Sequence, residues 1–322
     1  MLPNWMEGFI MSHNRREFLK TLSGVAAGLA LVQWPSKLLA ENNLIRFTVL
    51  HTNDIHCHLD SFPANDPQYG GRGGLARMAA LIDRFRQQQP NMLLLDAGDM
   101  FQGTPYFNYY KGDLITKVMS EMGYDASTIG NHEFDNGLEG MEKGLENAKY
   151  PVISSNYNFS STILADRFPD FVIFHRKGIK IGVYALGIEL KGLVNPKSYG
   201  NTIYQDPVQQ AQKMESLLKK EKHCDLIFCL SHLGYEYRQN SKISDRLLVP
   251  HTSYTDMIIG GHTHTFLPSP VKLKNACNEQ VIVNQVGWAG CMLGKIDFFL
   301  DADKKQVLYS LGNNFGHSLS LA

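Results

Sequence analysis

Five short polar strings in the sequence carry side chains able to do chemistry: Asp54-Ile55-His56, Gly98-Asp99, Gly130-Asn131-His132-Glu133-Phe134-Asp135, Ser231-His232 and Gly261-His262-Thr263-His264. Each follows an apolar, strand-like run, and open α/β sheets place ligand sites beyond the carboxyl ends of their strands. Two strings have i, i+2 spacing. On extended backbone that spacing turns both side chains to one face, so Asp54 with His56, and His262 with His264, are expected to converge on a single cation. Glycines beside Asp99, Asn131 and His262 allow the tight turns and close backbone approach that a crowded polar site requires. Together the strings offer two carboxylates, one amide oxygen and four imidazoles. That exceeds what one tetrahedral ion uses and suits two ions sharing a bridging carboxylate. A dinuclear centre is therefore expected, and with nitrogen and oxygen donors alone zinc, manganese, iron or cobalt are all acceptable.

The elements that must position these donors follow from the apolar pattern. From Ile45 onward, strand-like runs (IRFTVLHT, MLLLDAG) alternate with amphipathic stretches, which predicts an α/β fold. Helices are expected over 75–89, about 111–121, 137–148 and 207–222. Strands are expected at 151–155, 225–231 and 257–260, with a hairpin around Lys177-Gly178 and a strand-rich meander over 279–312. The late hairpins imply a mixed sheet. No internal repeat or low-complexity linker divides the chain.

The 322 residues carry 31 basic and 31 acidic side chains, with 43% apolar and 19% charged residues, which excludes disorder and collagen-like repeats. Zero net charge with no long Lys/Arg run leaves no electrostatic footprint for a nucleic-acid polymer. The apolar stretch Thr21–Trp34 is too short to span a membrane, so no stable membrane anchor is expected. It sits between Arg15-Arg16-Glu17-Phe18-Leu19-Lys20 and Pro35–Ala40, the basic, apolar, small-residue order of an export signal. The expected organisation is a signal peptide at 1–40, with Met11 an alternative start, and one domain over 41–322. Removing 1–40 leaves 27 basic against 29 acidic residues. The five cysteines form no C-x-x-C pair, and their odd number leaves at least one free thiol.

The RREFLK string resembles the twin-arginine motif, which implies export to the periplasm or outside the cell after folding around a cofactor. The five polar strings, in this order and spacing, resemble the signature of calcineurin-like metallophosphoesterases over roughly 45–300. VLHTNDIHCHL, LLLDAGDMFQGTP and GYDASTIGNHEFDNG are similar to its 5′-nucleotidase branch. The resemblance implies a four-layer α/β/β/α sandwich. It also implies Asp54, His56 and His264 on a first metal, Asp99 bridging, and Asn131, His232 and His262 on a second. His132 then matches the histidine that stabilises the phosphoryl transition state, with Asp135 orienting it. The expected activity is hydrolysis of a phosphomonoester or nucleotide by a metal-bridging hydroxide, a reaction needing no covalent phospho-enzyme. Complete members of the branch carry a further base-clamping domain. None is expected before Ala322, so the chain is expected either to accept many phosphomonoesters weakly or to gain nucleotide specificity from a separate nucleotide-binding chain, and the substrate-binding residues stay unassigned. Two alternatives use the same fold: a thiosulfohydrolase of sulfur oxidation, and a non-catalytic subunit that retains metals.

Other conspicuous residues receive structural readings. Glu133 is expected to support its neighbours through a salt bridge or a hydrogen bond. Cys57 is read as a small buried apolar residue turned away from the metals, and His58 as lying outside the ligand shell. Tyr69-Gly70-Gly71-Arg72-Gly73-Gly74 lacks the G-x-x-x-x-G-K-[ST] form and is read as a turn into a helix, with Arg72 and Arg77 open to either role. His51, His175, His223 and His251 are assigned no function.

Overall fold

The computed structural model describes residues 44–238, 242–301 and 307–316. The expected signal peptide lies outside them. Its elements in chain order are β1 (Leu44–Thr52), α1 (Leu75–Gln88), β2 (Met92–Asp96), α2 (Pro105–Tyr110), α3 (Asp113–Glu121), β3 (Ser127–Thr128), α4 (Gly137–Gly144), β4 (Val152–Ile153), β5 (Tyr157–Asn158), β6 (Phe171–Arg176) and β7 (Ile179–Gly187). There follow α5 (Pro196–Tyr199), β8 (Ile203–Tyr204), α6 (Pro207–Ser216), β9 (Leu226–His232), α7 (Asp245–Leu248), β10 (Met257–Gly260), β11 (Val271–Lys274), β12 (Gln280–Asn284), β13 (Met292–Asp301) and β14 (Val307–Gly316). By backbone contacts a large unit takes in Arg46–Phe298 and 310–316, and a small one comprises 44–45, 299–301 and 307–309. The candidate site described below belongs to the large unit.

One sheet has the order β14-β13-β1-β2, and a six-stranded sheet runs β11-β12-β10-β9-β7-β6. In the second, β7, β9, β10 and β12 are parallel, while β6 and β11 close the edges antiparallel. This is the mixed sheet that the late hairpins foretold. The inner strands are buried on both faces, which is why LIFCLSH reads as one apolar run rather than an alternation. On β1, Leu50 faces a core shared with Met78 and Ile82 of α1, Ile115 of α3 and Met141 of α4. Its neighbour Phe47 points the other way and packs against Phe298 of β13 and Phe228 of β9, at centroid distances of 6.5 and 6.4 Å. Beyond β9, Ile227 and Cys229 face Ala211 and Met214 of α6. The order is therefore helix, sheet, sheet, helix, the four-layer sandwich.

Two local differences have physical causes. The helix expected over about 111–121 is α3, and a separate short helix that sequence reasoning did not place, α2, stands directly before it. Lys111 and Gly112 take left-handed φ values of 51° and 95°, ending α2 and restarting the chain at α3. The helix expected over 207–222 closes in a π-type turn, Leu217–Glu221. Among the described residues no helix is long and apolar enough to cross a membrane.

Candidate metal centre

All five polar strings lie just past strand ends: Asp54 after β1, Asp99 after β2, Asn131 after β3, His232 closing β9 and His262 after β10. Their ligand atoms form two groups, Asp54 with His56 and His264, and Asp99 with His232 and His262. His56 Nε2 stands 3.0 Å from His264 Nε2, which in turn stands 3.3 Å from Asp54 Oδ1. His232 Nε2 is 3.0 Å from Asp99 Oδ2 and 3.9 Å from Asp54 Oδ1, so the two groups adjoin. Asn131 Oδ1 joins the second group, 2.8 Å from His262 Nδ1.

The convergence does not come from strand alternation. Asp54, His56, Asp99, His262 and His264 all have left-handed φ, between 50° and 72°. Such backbone costs a non-glycine residue on the order of 1–3 kcal/mol and persists only where surroundings enforce it. Here backbone hydrogen bonds do so. Asp54 N donates to Gly98 O at 2.9 Å, His56 N to Asp99 O at 3.0 Å and Cys57 N to Met100 O at 2.9 Å, zipping the loops after β1 and β2 together. In consequence His262 and His264 do not share a cation as the i, i+2 spacing suggested; each serves a different group. Gly130 is needed for close approach, because a Cβ there would collide with the Asp99 carboxylate.

The donor set fits divalent cations. His232 Nε2 is buried without a hydrogen bond of acceptable geometry, although the Asp99 carboxylate lies beside it. That is an arrangement for two ligands of one ion. Ring orientation is fixed from behind: His56 Nδ1 lies 3.0 Å from Phe101 O, and His232 Nδ1 2.7 Å from Ala97 O. Burial lowers the pKa of His56, and burial with the neighbouring His232 lowers that of His262 to about 4, keeping both in the neutral form that ligates. Burial opposes charge on Asp99, but the His232 ring, whose own pKa that carboxylate raises to about 10, outweighs it and holds the carboxyl well below its usual range.

His132 Nδ1 pairs with Asp135 Oδ2 at 2.8 Å, and its backbone N–H donates to Asp99 Oδ1 at 2.8 Å. Burial works against its charge. The Asp135 hydrogen bond and the Asp99, Asp135 and Glu133 charges prevail, raising its pKa to about 9. Glu133 makes no salt bridge. Its buried carboxylate accepts from the backbone N–H groups of Asp99 (3.1 Å), Phe101 (3.0 Å) and Gly130 (2.6 Å), locking two ligand loops together.

Sequence reasoning passed over two residues. Asn53 donates from Nδ2 to Asp54 Oδ2 and to Gly287 O, both at 2.6 Å, and its Oδ1 accepts from Val286 N at 2.9 Å. Trp288 lies parallel to His264, with ring centroids 5.3 Å apart. Asn53 stood inside the VLHTNDIH string beside a ligand and could have been suspected; nothing in the sequence singles out Trp288. Cys57 is buried in the core, its thiol donates to Met100 O at 3.4 Å, and burial pushes its pKa to about 12. All five cysteines are free. His58 packs on Phe62 and Trp288, outside both groups. In the glycine-rich run, Gly71, Gly73 and Gly74 have positive φ and Arg77 Nη1 donates to Gly71 O at 2.6 Å, which makes the run a turn.

Residues 47–266 match the family model of calcineurin-like phosphoesterases. The chain is 34% identical over 289 residues to a snake venom 5′-nucleotidase of Gloydius brevicauda, covering 83% of this chain and 47% of that protein. It is 32% identical over 313 residues to a 5′-nucleotidase of Mus musculus, covering 90% and 51%. Among solved structures, it superposes on a 5′-nucleotidase precursor from Thermus thermophilus with a TM-score of 0.76 at 32% identity, over 84% of this chain and 54% of that one. The chain spans about half the length of the curated relatives it matches.

Proposed function

The chain belongs to the calcineurin-like phosphoesterase family, and from that premise we propose that it is an exported, metal-dependent phosphoester hydrolase of the 5′-nucleotidase type, acting on nucleotides. The observation that carries this reading is the meeting of seven donors in two adjoining groups, with the His132–Asp135 pair alongside. Asp54, His56 and His264 would hold one divalent ion and Asn131, His232 and His262 a second, with Asp99 between them. Bound there, two such ions lower the pKa of water towards about 7 and neutralise charge on the phosphoryl oxygens.

The chain's own groups do the rest. Asp135 accepts from His132 Nδ1–H, so that in the protonated ring the Nε2–H is the donor offered to the substrate. Held protonated at neutral pH, His132 stabilises the charge that develops on the phosphoryl group and gives its proton to the leaving oxygen. Glu133 and Asn53 touch no substrate; they keep Asp99 and Asp54 in place. Passage to the periplasm is assigned to the twin-arginine segment.

The test is turnover by the full chain loaded with zinc, manganese or cobalt, against AMP, UDP-glucose, a 2′,3′-cyclic nucleotide, p-nitrophenyl phosphate and a thiosulfonate conjugate. Cleavage of the nucleotides supports the reading. Turnover of the thiosulfonate with none of any phosphoester overturns it.

A further inference from the structure

Each imidazole of a metal site must be held at the angle its ligand lone pair requires, and the usual device is a hydrogen bond to the other ring nitrogen. His56 and His232 have that bond, from Nδ1 to the carbonyls of Phe101 and Ala97. For His264, among the described residues, only Nε2 has polar neighbours: His56 Nε2 at 3.0 Å and Asp54 Oδ1 at 3.3 Å. It is also more open than its partners, with 38% of its side chain exposed against 4% for His56. What lies against it is the indole of Trp288, 1° from parallel.

That indole is itself immobilised. Gly287 N donates to Thr265 O at 3.0 Å, one residue from His264, and Ala289 N donates to Asp54 O at 2.7 Å. The turn bearing Trp288 is thus tied on either side to the two strings that supply this group of donors. Asn53 adds a third tie, to Gly287 O. Around the ring, His58, Phe62 and Tyr69 stand near-perpendicular or steeply tilted, at centroid distances of 5.1, 5.7 and 5.7 Å. These edge-to-face contacts restrict rotation about the Trp288 side-chain bonds.

We propose that Trp288 is a positioning residue for His264: its stacked indole does for that ring what a backbone carbonyl does for His56 and His232, and so sets the affinity of the Asp54–His56–His264 group for its ion. The inference rests on the metal-site reading above and adds to it a residue that touches neither ion nor substrate. It also makes the site optically addressable. The chain has three tryptophans, and the other two, Trp5 and Trp34, lie in the expected signal segment.

The experiment takes the full chain with Trp5→Phe and Trp34→Phe, freed of metal and titrated with cobalt(II), reading cobalt d–d absorption, bound equivalents and indole fluorescence. Two equivalents are expected to bind, with quenching of Trp288 following one of them. Adding Trp288→Ala is expected to weaken that equivalent about 10- to 100-fold, the usual effect of losing a ligand's outer support, and to spare the other. Trp288→Phe, which keeps an aromatic face, is expected to restore most of the affinity. A Trp288→Ala chain that binds both equivalents as tightly as its parent overturns the inference and leaves the site reading standing. So does a Trp288→Phe chain as impaired as Trp288→Ala, or loss of both equivalents together. Should Trp288→Ala fail to fold, Trp288→Leu, which fills volume without a ring, takes its place with the same readings. A parent chain that takes up no cobalt overturns both the inference and the site reading.

Discussion

His132 is the residue whose removal separates chemistry from architecture. It touches Asp99 only through its backbone N–H, which every substitution except proline retains. His132→Ala is therefore expected to cost a factor of about 10² to 10⁴ in turnover, typical for loss of a positioned proton donor, while metal content by atomic absorption stays at the parental level. Unchanged turnover would remove the His132–Asp135 pair from the mechanism. Glu133 makes the opposite prediction. Its side chain meets three backbone N–H groups, so Glu133→Gln leaves amide donors facing a buried NH₂ group. Stability measured by urea unfolding is expected to fall by about 1–3 kcal/mol, the usual cost of orphaning a buried polar partner. The sequence identified both residues. It also told their uses apart, but not which backbone amides Glu133 holds, because that depends on what the fold brings within reach of its carboxylate.

At the scale of the elements, the two sheets meet face to face, with His51 and Asn284 buried as a polar pair. His51 of β1 is fully buried, its Nε2 2.8 Å from Asn284 of β12, and Gly294 of β13 leaves the room its ring requires. Burial lowers its pKa to about 3. Unfolding returns it to about 6.5, so between these values the unfolded chain binds more protons and stability falls as pH falls. The loss from this group is about 2 kcal/mol at pH 5 relative to pH 7. His51→Gln, which keeps a hydrogen-bonding partner for Asn284, is expected to flatten this part of the acid limb of the stability–pH curve. Identical pH slopes for parent and variant would show that His51 is not kept neutral. The pattern of apolar runs made these strands legible. The short α2 escaped because six helical residues are too few to show an amphipathic periodicity.

For the molecule as a whole, donors drawn from residues 54 to 264 tie the ends of strands from both sheets to one place. Ions that bind only the folded chain stabilise it by mass action, by about 4 kcal/mol per ion at a thousandfold excess over Kd. Chelation is accordingly expected to lower the calorimetric melting temperature, and zinc or manganese added back to restore it. An unchanged melting curve would show that the donors hold no ion.

The sequence alone carried the candidate donors, their order and the alternating elements, which follow from residue type and local spacing and survive without knowledge of what lies nearby; the pairing of His132 with Asp135 came with the family resemblance. The tertiary structure decided that His262 and His264 serve different groups, that the ligand residues sit on left-handed turns, and that Asn53, Glu133 and Trp288 hold them. Those outcomes depend on hydrogen bonds and ring contacts between loops as many as 234 residues apart, where one-dimensional spacing carries no information.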